Sequence, residues 1–229
     1  KGVAEKGFSP SSLTNYIRNP IDFYYQKILK IKEHNDVEET VAANTLGTVV
    51  HNTLEDFYKP LIGTILSVDI IKKLKTNINK TVTHHFTDIY KEGDITKGKN
   101  LIIYEIAKRY VSNFLDLEIK ELKQGHTIKI IALESENRVS INIPELNFPI
   151  QLTGKVDRVD EYNGITRIID YKTGKVDQNK VEIVDWEDLT TDYTKYSKSF
   201  QVLMYAYMMK NDKQITLPIE AGIISLKNL

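Results

Sequence analysis

Residues 154–176 read "GKVDRVDEYNGITRIIDYKTGKV" and set Asp157, Asp170 and Lys172 on two β-strands joined by a tight turn. Asn163-Gly164 is a strong hairpin signal, because both residues tolerate the positive φ that a mirror-image two-residue turn requires. Side chains alternate faces along a strand, so Asp170 and Lys172 point the same way and Tyr171 points to the other face. The hairpin carries Asp157 towards Asp170, and two carboxylates at one edge repel unless a cation or a proton lies between them. A hard divalent ion, bound through carboxylates, waters and phosphate oxygens, would satisfy both. Lys172 beside it would hold or activate an attacking water, or stabilise charge on a phosphate. The chemistry that follows is metal-assisted hydrolysis of a phosphodiester. An isolated D-x-K more often decorates an exposed sheet, but here apolar Ile168 and Ile169 feed straight into Asp170, so polarity begins where the strand leaves the core.

Outward from this hairpin, the period-2 pattern covers "TIKIIALES", "RVSINI", "FPIQLTGKVDRVDEY" and "TRIIDYKT", with turn residues between them, and returns in a final "EAGIISL". Before Gly125 the period is helical. Ser9-Pro10 and Asn19-Pro20 each pair an N-cap with proline at the first helical position and predict two short consecutive helices. The polar stretch from Glu33 to Asn44 reads as a loop, and Thr45 to Tyr58 as a helix with Val50, Leu54 and Phe57 on one face. Ser67 is expected to cap one helix carrying Ile71, Leu74, Ile78, Val82, Phe86 and Ile89, broken by "GDITKGKN". Asn100 is expected to cap another, which stops near Gly125. A polar stretch, Gly174 to Lys198, precedes the helix "SFQVLMYAYMMK". The expected architecture is therefore a mainly helical part over 1–125 and a sheet with one inserted helix over 126–229, together one α/β or α+β layered domain.

Composition narrows the function classes. Among 229 residues, 31 Lys and Arg balance 31 Asp and Glu, so no strong net field advertises nucleic acid or membrane, although charge can still be segregated by face. With no cysteine, disulfides, thiolate nucleophiles and iron–sulfur clusters held by cysteine are excluded. No apolar run reaches the roughly 18 residues of a membrane span and the start carries no signal-peptide pattern, so a cytoplasmic protein without a membrane partner is expected. A first residue Lys1 suggests a piece cut from a longer chain.

The pattern G-x-x-D-R-x-D, followed by an apolar strand into D-Y-K-T-G, resembles the PD-(D/E)xK nuclease superfamily, in particular its RecB-like (AddB-type) exonuclease domains. The resemblance implies a restriction-endonuclease-like core, a central mixed β-sheet flanked by helices, with an N-terminal helical region. Gly47, His51, Leu54 and Glu55 match an upstream G-x-x-x-H-x-x-L-E motif whose histidine is a further metal ligand. From the residues alone, His51 and Glu55 at i and i+4 suit a shared metal or a hydrogen-bonded pair equally. Gln201 and Tyr205 match a Q-x-x-x-Y helix, which implies that Gln201 contacts DNA or orients the lysine. The opening "SPSSLTNYIRNPIDFYY" also looks like RecB-like domains, so the resemblance spans nearly the whole chain.

By that resemblance, the metal site comprises His51, Asp157, Asp170 and the carbonyl of Tyr171, holding Mg²⁺ or Mn²⁺. The catalytic set is Asp157, Asp170, Lys172, Gln201 and an outer acid, Glu134, with Glu136 its competitor. Gln201, Tyr205 and Arg158 are expected to face the substrate. Some relatives bind an iron–sulfur cluster through cysteines, one of them just before the proline of the opening segment; Asn19 stands there, and no such cluster is expected. The implied activity is a metal-dependent deoxyribonuclease, an exonuclease on DNA ends, single- or double-stranded, within a repair or recombination machine that includes a helicase region or subunit. The alternatives are a nuclease-fold module that only binds DNA or scaffolds, and a structural protein whose Asp170 and Lys172 pair on an open face away from His51. Lys175 to Lys198, with Trp186, Tyr193 and Tyr196, reads either as a stacking surface for a single strand or as a solvated loop.

Overall fold

The computed structural model describes residues 2–31, 43–90, 95–210, 215 and 217–229. Most of the loop expected from Glu33 to Asn44 lies outside the described residues, as does the start of the expected break after Glu92. Helix α1 spans Gly2–Lys6, α2 Pro10–Arg18, α3 Pro20–Phe23, α4 Ala43–Tyr58, α5 Val68–Thr76, α6 Ile78–Ile89, α7 Gly98–Lys123 and α8 Tyr193–Met209. The strands are β1 Ile128–Ile141, β2 Ile150–Tyr162, β3 Ile165–Lys172 and β4 Ile219–Ser225.

Local chemistry sets many of these boundaries. Ser9 Oγ accepts from the amide of Ser12, and Asn19 Oδ1 accepts from the amides of Ile21 and Asp22, so both Pro-led helices begin at a side-chain cap. At the end of α7, Gly125 takes φ +90° while its amide bonds Leu122 O and the amide of His126 bonds Glu121 O, the double closure that suits glycine in the left-handed region. Asn163 and Gly164, at φ 51° and 84°, form the turn between β2 and β3.

Four boundaries depart from the sequence pattern. The helix expected to run on from Ser67 is two, because Asn77 donates from its side chain to Lys73 O and splits the run into α5 and α6. Helix α7 starts at Gly98, ahead of Asn100. "TIKIIALES" and "RVSINI" form one strand, since Glu136 and Asn137 stay paired with Lys155 and Gly154. The inserted helix starts at Tyr193, so the polar stretch is shorter than expected and holds 3-10 turns at Gln178–Lys180 and Glu187–Thr190.

The sheet order is β1-β2-β3-β4, antiparallel except for the parallel β3/β4 pair. A parallel neighbour requires a crossover, and α8 provides it. One face packs on α4 to α7 through Leu54, Phe57, Ile71, Phe86, Val111 and Phe114 against Ile128, Ile130, Ile169 and Tyr171. The other face packs on α8, where Met204, Tyr205, Met208 and Met209 meet Leu152, Val156, Val159 and Ile168. This is an α/β restriction-endonuclease-like architecture, a mixed sheet between helical layers.

Two details shape the middle of the sheet. β2 pairs with β3 only from Arg158 to Tyr162, whereas its pairing with β1 runs back to Ile150, so β2 and β3 part at Asp157 and Asp170. In addition, Val156 and Val159 both pack beneath α8, although strict alternation would send them to opposite faces. The side-chain alternation of β2 therefore slips within this interval, although the β1/β2 register is constant there and shifts only in β1, between Ile130 and Ala132; Glu134, facing the interval from β1, has a φ of 47°, which puts a non-glycine residue in the left-handed region.

Candidate active site

The fork between β2 and β3 gathers the charged residues. On its β2 side β3 has no strand partner beyond Ile169, and the amide of Tyr171 donates to Asp157 Oδ2 at 2.7 Å, so a side chain completes that edge of the ladder. The carbonyl of Tyr171 accepts from His51 Nε2 of α4 at 3.1 Å, and His51 Nδ1 lies 3.5 Å from Asp157 Oδ1. The backbone of one residue thereby fixes both a carboxylate and an imidazole. Glu134 joins them from β1: ligand atoms of His51, Glu134 and Asp157 all lie within 4.8 Å of one another.

Asp170 lies beside this trio but is tied elsewhere. Its Oδ1 accepts from Gln201 Nε2 at 3.0 Å, and its Oδ2 is 2.7 Å from Lys172 Nζ, an ion pair without hydrogen-bond alignment. Gln201 also donates to the Tyr205 hydroxyl at 2.9 Å, so Gln201 and Tyr205 face the fork from α8. Asp170 is 2% exposed, which excludes the reading of Asp170 and Lys172 as a pair on an open sheet face.

The electrostatics follow from this crowding. Burial raises the Asp170 carboxyl to about 6; Lys172 opposes that rise and Asp157 adds to it. His51 is the reverse case. Burial opposes its protonation, but contact with Asp157 and the charges of Asp170 and Glu134 prevail and raise it above its ordinary value. An imidazole and two carboxylates that converge on one spot, with the Asp170 carboxylate beside them, form a donor set suited to a hard divalent ion such as Mg²⁺ or Mn²⁺.

Several expected participants stand elsewhere. Glu55 pairs with Lys59 at 3.1 Å rather than with His51. Arg158, expected on the substrate side, is 1% exposed behind the sheet. There it pairs with Glu118 and Asp160, each at 2.8 Å, and stacks over Tyr58. The slip in β2 turns it towards α7, where no DNA phosphate can reach it. Of the aromatic residues in the polar stretch, Tyr196 is buried and only Trp186, at 67% exposure, is largely open, among Asp185, Glu187 and Asp188. Those acids would repel a phosphate backbone, so the expected stacking surface reduces to one indole in acidic surroundings. Glu118 escapes a reading of the sequence because a lone acid within α7 carries no local signal.

The motif's glycines also separate. A Cβ on Gly154 would come 2.4 Å from Met208 Cε and 3.0 Å from the Tyr205 ring, so the missing side chain is what lets α8 lie close on β2. A Cβ on Gly47 would meet only Thr173 Oγ1, at an ordinary 3.6 Å.

Residues 7–228 match the family model described as the PD-(D/E)XK nuclease superfamily. Among curated proteins, the chain is 25% identical over 224 residues to an uncharacterized protein of Rickettsia felis, covering 93% of this chain and 23% of that protein. It is 26% identical over 225 residues to an ATP-dependent helicase/deoxyribonuclease subunit of Carboxydothermus hydrogenoformans, covering 93% of this chain and 19% of the relative. The subunit of the same name in Clostridioides difficile is 28% identical over 199 residues, 76% of this chain and 16% of the relative. The chain thus spans about a fifth of the length of these relatives.

Proposed function

This chain belongs to the PD-(D/E)XK nuclease superfamily, and from that premise we propose that it is a Mg²⁺- or Mn²⁺-dependent deoxyribonuclease acting on DNA ends. The observation that carries the reading is the convergence of His51, Glu134 and Asp157 within 4.8 Å, beside a buried Asp170 paired with Lys172. A scaffold gains nothing from such crowding, since like charges around an empty centre cost stability.

In this reading His51, Glu134, Asp157 and Asp170 hold the ion, with the Tyr171 carbonyl as a further oxygen donor. The ion, when bound, supplies Lewis-acid charge to the scissile phosphate and lowers the pKa of a bound water. Lys172 Nζ, adjacent to Asp170, would donate to the attacking water and stabilise the hydroxide-like charge left on its oxygen as its proton passes to solvent. Gln201 fixes the rotamer of Asp170, and Tyr205 fixes Gln201. Gln201, the less buried of the two, is the one placed to meet substrate at the fork, whereas Tyr205, 6% exposed against β2, acts through Gln201.

Two relatives are by name subunits of ATP-dependent helicase/deoxyribonucleases. Their likeness supports a nuclease module of a larger repair or recombination enzyme, partnered with a helicase and working in the cytoplasm. The described helices include none long and apolar enough to cross a membrane.

The test is degradation of end-labelled single- and double-stranded DNA with Mg²⁺, Mn²⁺ or EDTA, comparing wild type with Asp170→Ala and Lys172→Ala. Cutting that requires the ion and is lost in both variants is the expected result. Ion-independent cutting, or full activity in either variant, would overturn the site. A wild type that neither cuts nor binds Mn²⁺ would favour the inactive module.

A further inference from the structure

Lys155 lies two residues before Asp157 on β2, and none of the chemistry above uses it. Its Nζ is 2.5 Å from Glu134 Oε2, and its side chain is 54% exposed whereas that of Glu134 is 17% exposed. The ammonium thus sits at the mouth of the fork, with its stem in solvent and its charge on a site acid.

Two of the acids at the fork hold a lysine: Asp170 holds Lys172 and Glu134 holds Lys155. Lys155 differs from Lys172 in one respect. Its partner is one of the three groups whose ligand atoms converge. A divalent ion that takes Glu134 as a ligand competes for the charge that anchors Lys155, because a doubly charged ion outweighs a single ammonium at equal distance. The freed lysine is a compact point charge on a long stem, the type of group that grips phosphate without reading sequence. Along an extended strand, two residues place its backbone about 6.6 Å from that of Asp157, a reach comparable to one nucleotide step.

We propose that Lys155 binds the DNA backbone at a phosphate next to the scissile one, and that its ion pair with Glu134 is the resting arrangement that ion binding opens. The proposal rests on the nuclease reading above and adds to it a residue that exchanges one anion for another. It makes a two-signed prediction. Removing the lysine frees Glu134 and tightens Mn²⁺ binding, while it also removes one phosphate contact and weakens DNA binding. A solvated surface lysine would do neither.

The experiment compares the whole chain as wild type, Lys155→Ala and Lys155→Arg. Mn²⁺ affinity is measured by calorimetry without DNA. Affinity for a fluorescent oligonucleotide is measured in Ca²⁺, a hard ion taking the same oxygen donors, across a salt series. For Lys155→Ala, Mn²⁺ binding should tighten about three- to tenfold, the effect of deleting one nearby charge. The slope of log affinity against log salt should fall by about 0.7 to 0.9, the share of one phosphate contact. Lys155→Arg should keep the wild-type slope. If wild type binds both ligands and Lys155→Ala matches it in slope or in Mn²⁺ affinity, the role of Lys155 is wrong and the nuclease reading stands. A wild type that binds neither ligand would bring down both together.

Discussion

Strand β2 carries two groups of charges side by side, and they are built in opposite ways. On the α7 side, Arg158 and Arg167 meet Asp160 and Glu118 in a closed set with every charge paired. Arg167 contacts Asp160 at 2.8 Å, Arg158 contacts both acids at 2.8 Å, and Tyr58 donates to Glu118. On the fork side, Asp157, Asp170, Glu134 and His51 crowd a shared space with lysines only at its edges. The closed set satisfies buried charge; the open set leaves it in want of a cation. One strand serves both: Asp157 reaches the Tyr171 amide at the fork, and Arg158, within the interval where alternation slips between Val156 and Val159, turns to Glu118 on α7.

Breaking the closed set should cost the most stability. Glu118→Ala strands Arg158 without its helix partner, and a loss of about 3–5 kcal/mol in chemical unfolding is expected. A loss below about 1 kcal/mol would mean that the cluster is solvated.

The open set should behave inversely. The Asp170 carboxyl ionises near 6 in the fold and near 3.8 when unfolded, so the folded state binds the extra proton between those values. Its contribution is therefore most favourable below about 4 and is lost as pH rises through 6. Asp170→Asn removes that penalty and should stabilise the ion-free protein by about 1–3 kcal/mol at pH 7.5, and by nearly nothing at pH 4. Thermal melts at the two values in EDTA would check the sign.

Packing between the two sets sharpens the contrast. Gly154→Ala drives a methyl into Met208 and Tyr205 and should cost about 1–3 kcal/mol by overpacking. Gly47→Ala meets only an ordinary contact and should cost less than Gly154→Ala in the same unfolding titration. The mildest effect concerns protons. His51 is raised above its ordinary value, so the ion must displace a proton there, and Mn²⁺ affinity by calorimetry should fall as pH drops from 8 to 6.

Much of this is legible from residue chemistry. Ser9, Asn19, Gly125 and Asn163-Gly164 act within a few residues of themselves, so their caps and turns can be read locally. The D-x-K spacing brings Asp170 and Lys172 to one side for the same reason. What is not legible depends on partners distant in sequence. Arg158 is expected on the substrate side from the family resemblance, and only the packing of β2 against α7 shows that it turns to Glu118 instead. Glu118 acquires meaning only when α7 lies against β2. Asn77 reads as one more polar residue in a helical stripe until its side chain takes the carbonyl of Lys73. Trp186 and Tyr196 look equivalent in the sequence, and tertiary packing alone separates the exposed ring from the buried one.

The central claim is that the fork keeps charges whose crowding serves catalysis at the expense of stability. One variant tests it most directly: Asp170→Asn, assayed for cutting of end-labelled DNA in Mn²⁺, with its melting temperature recorded on the same sample. The account predicts no cutting by a protein that melts at or above the wild-type temperature. Cutting at the wild-type rate would contradict it.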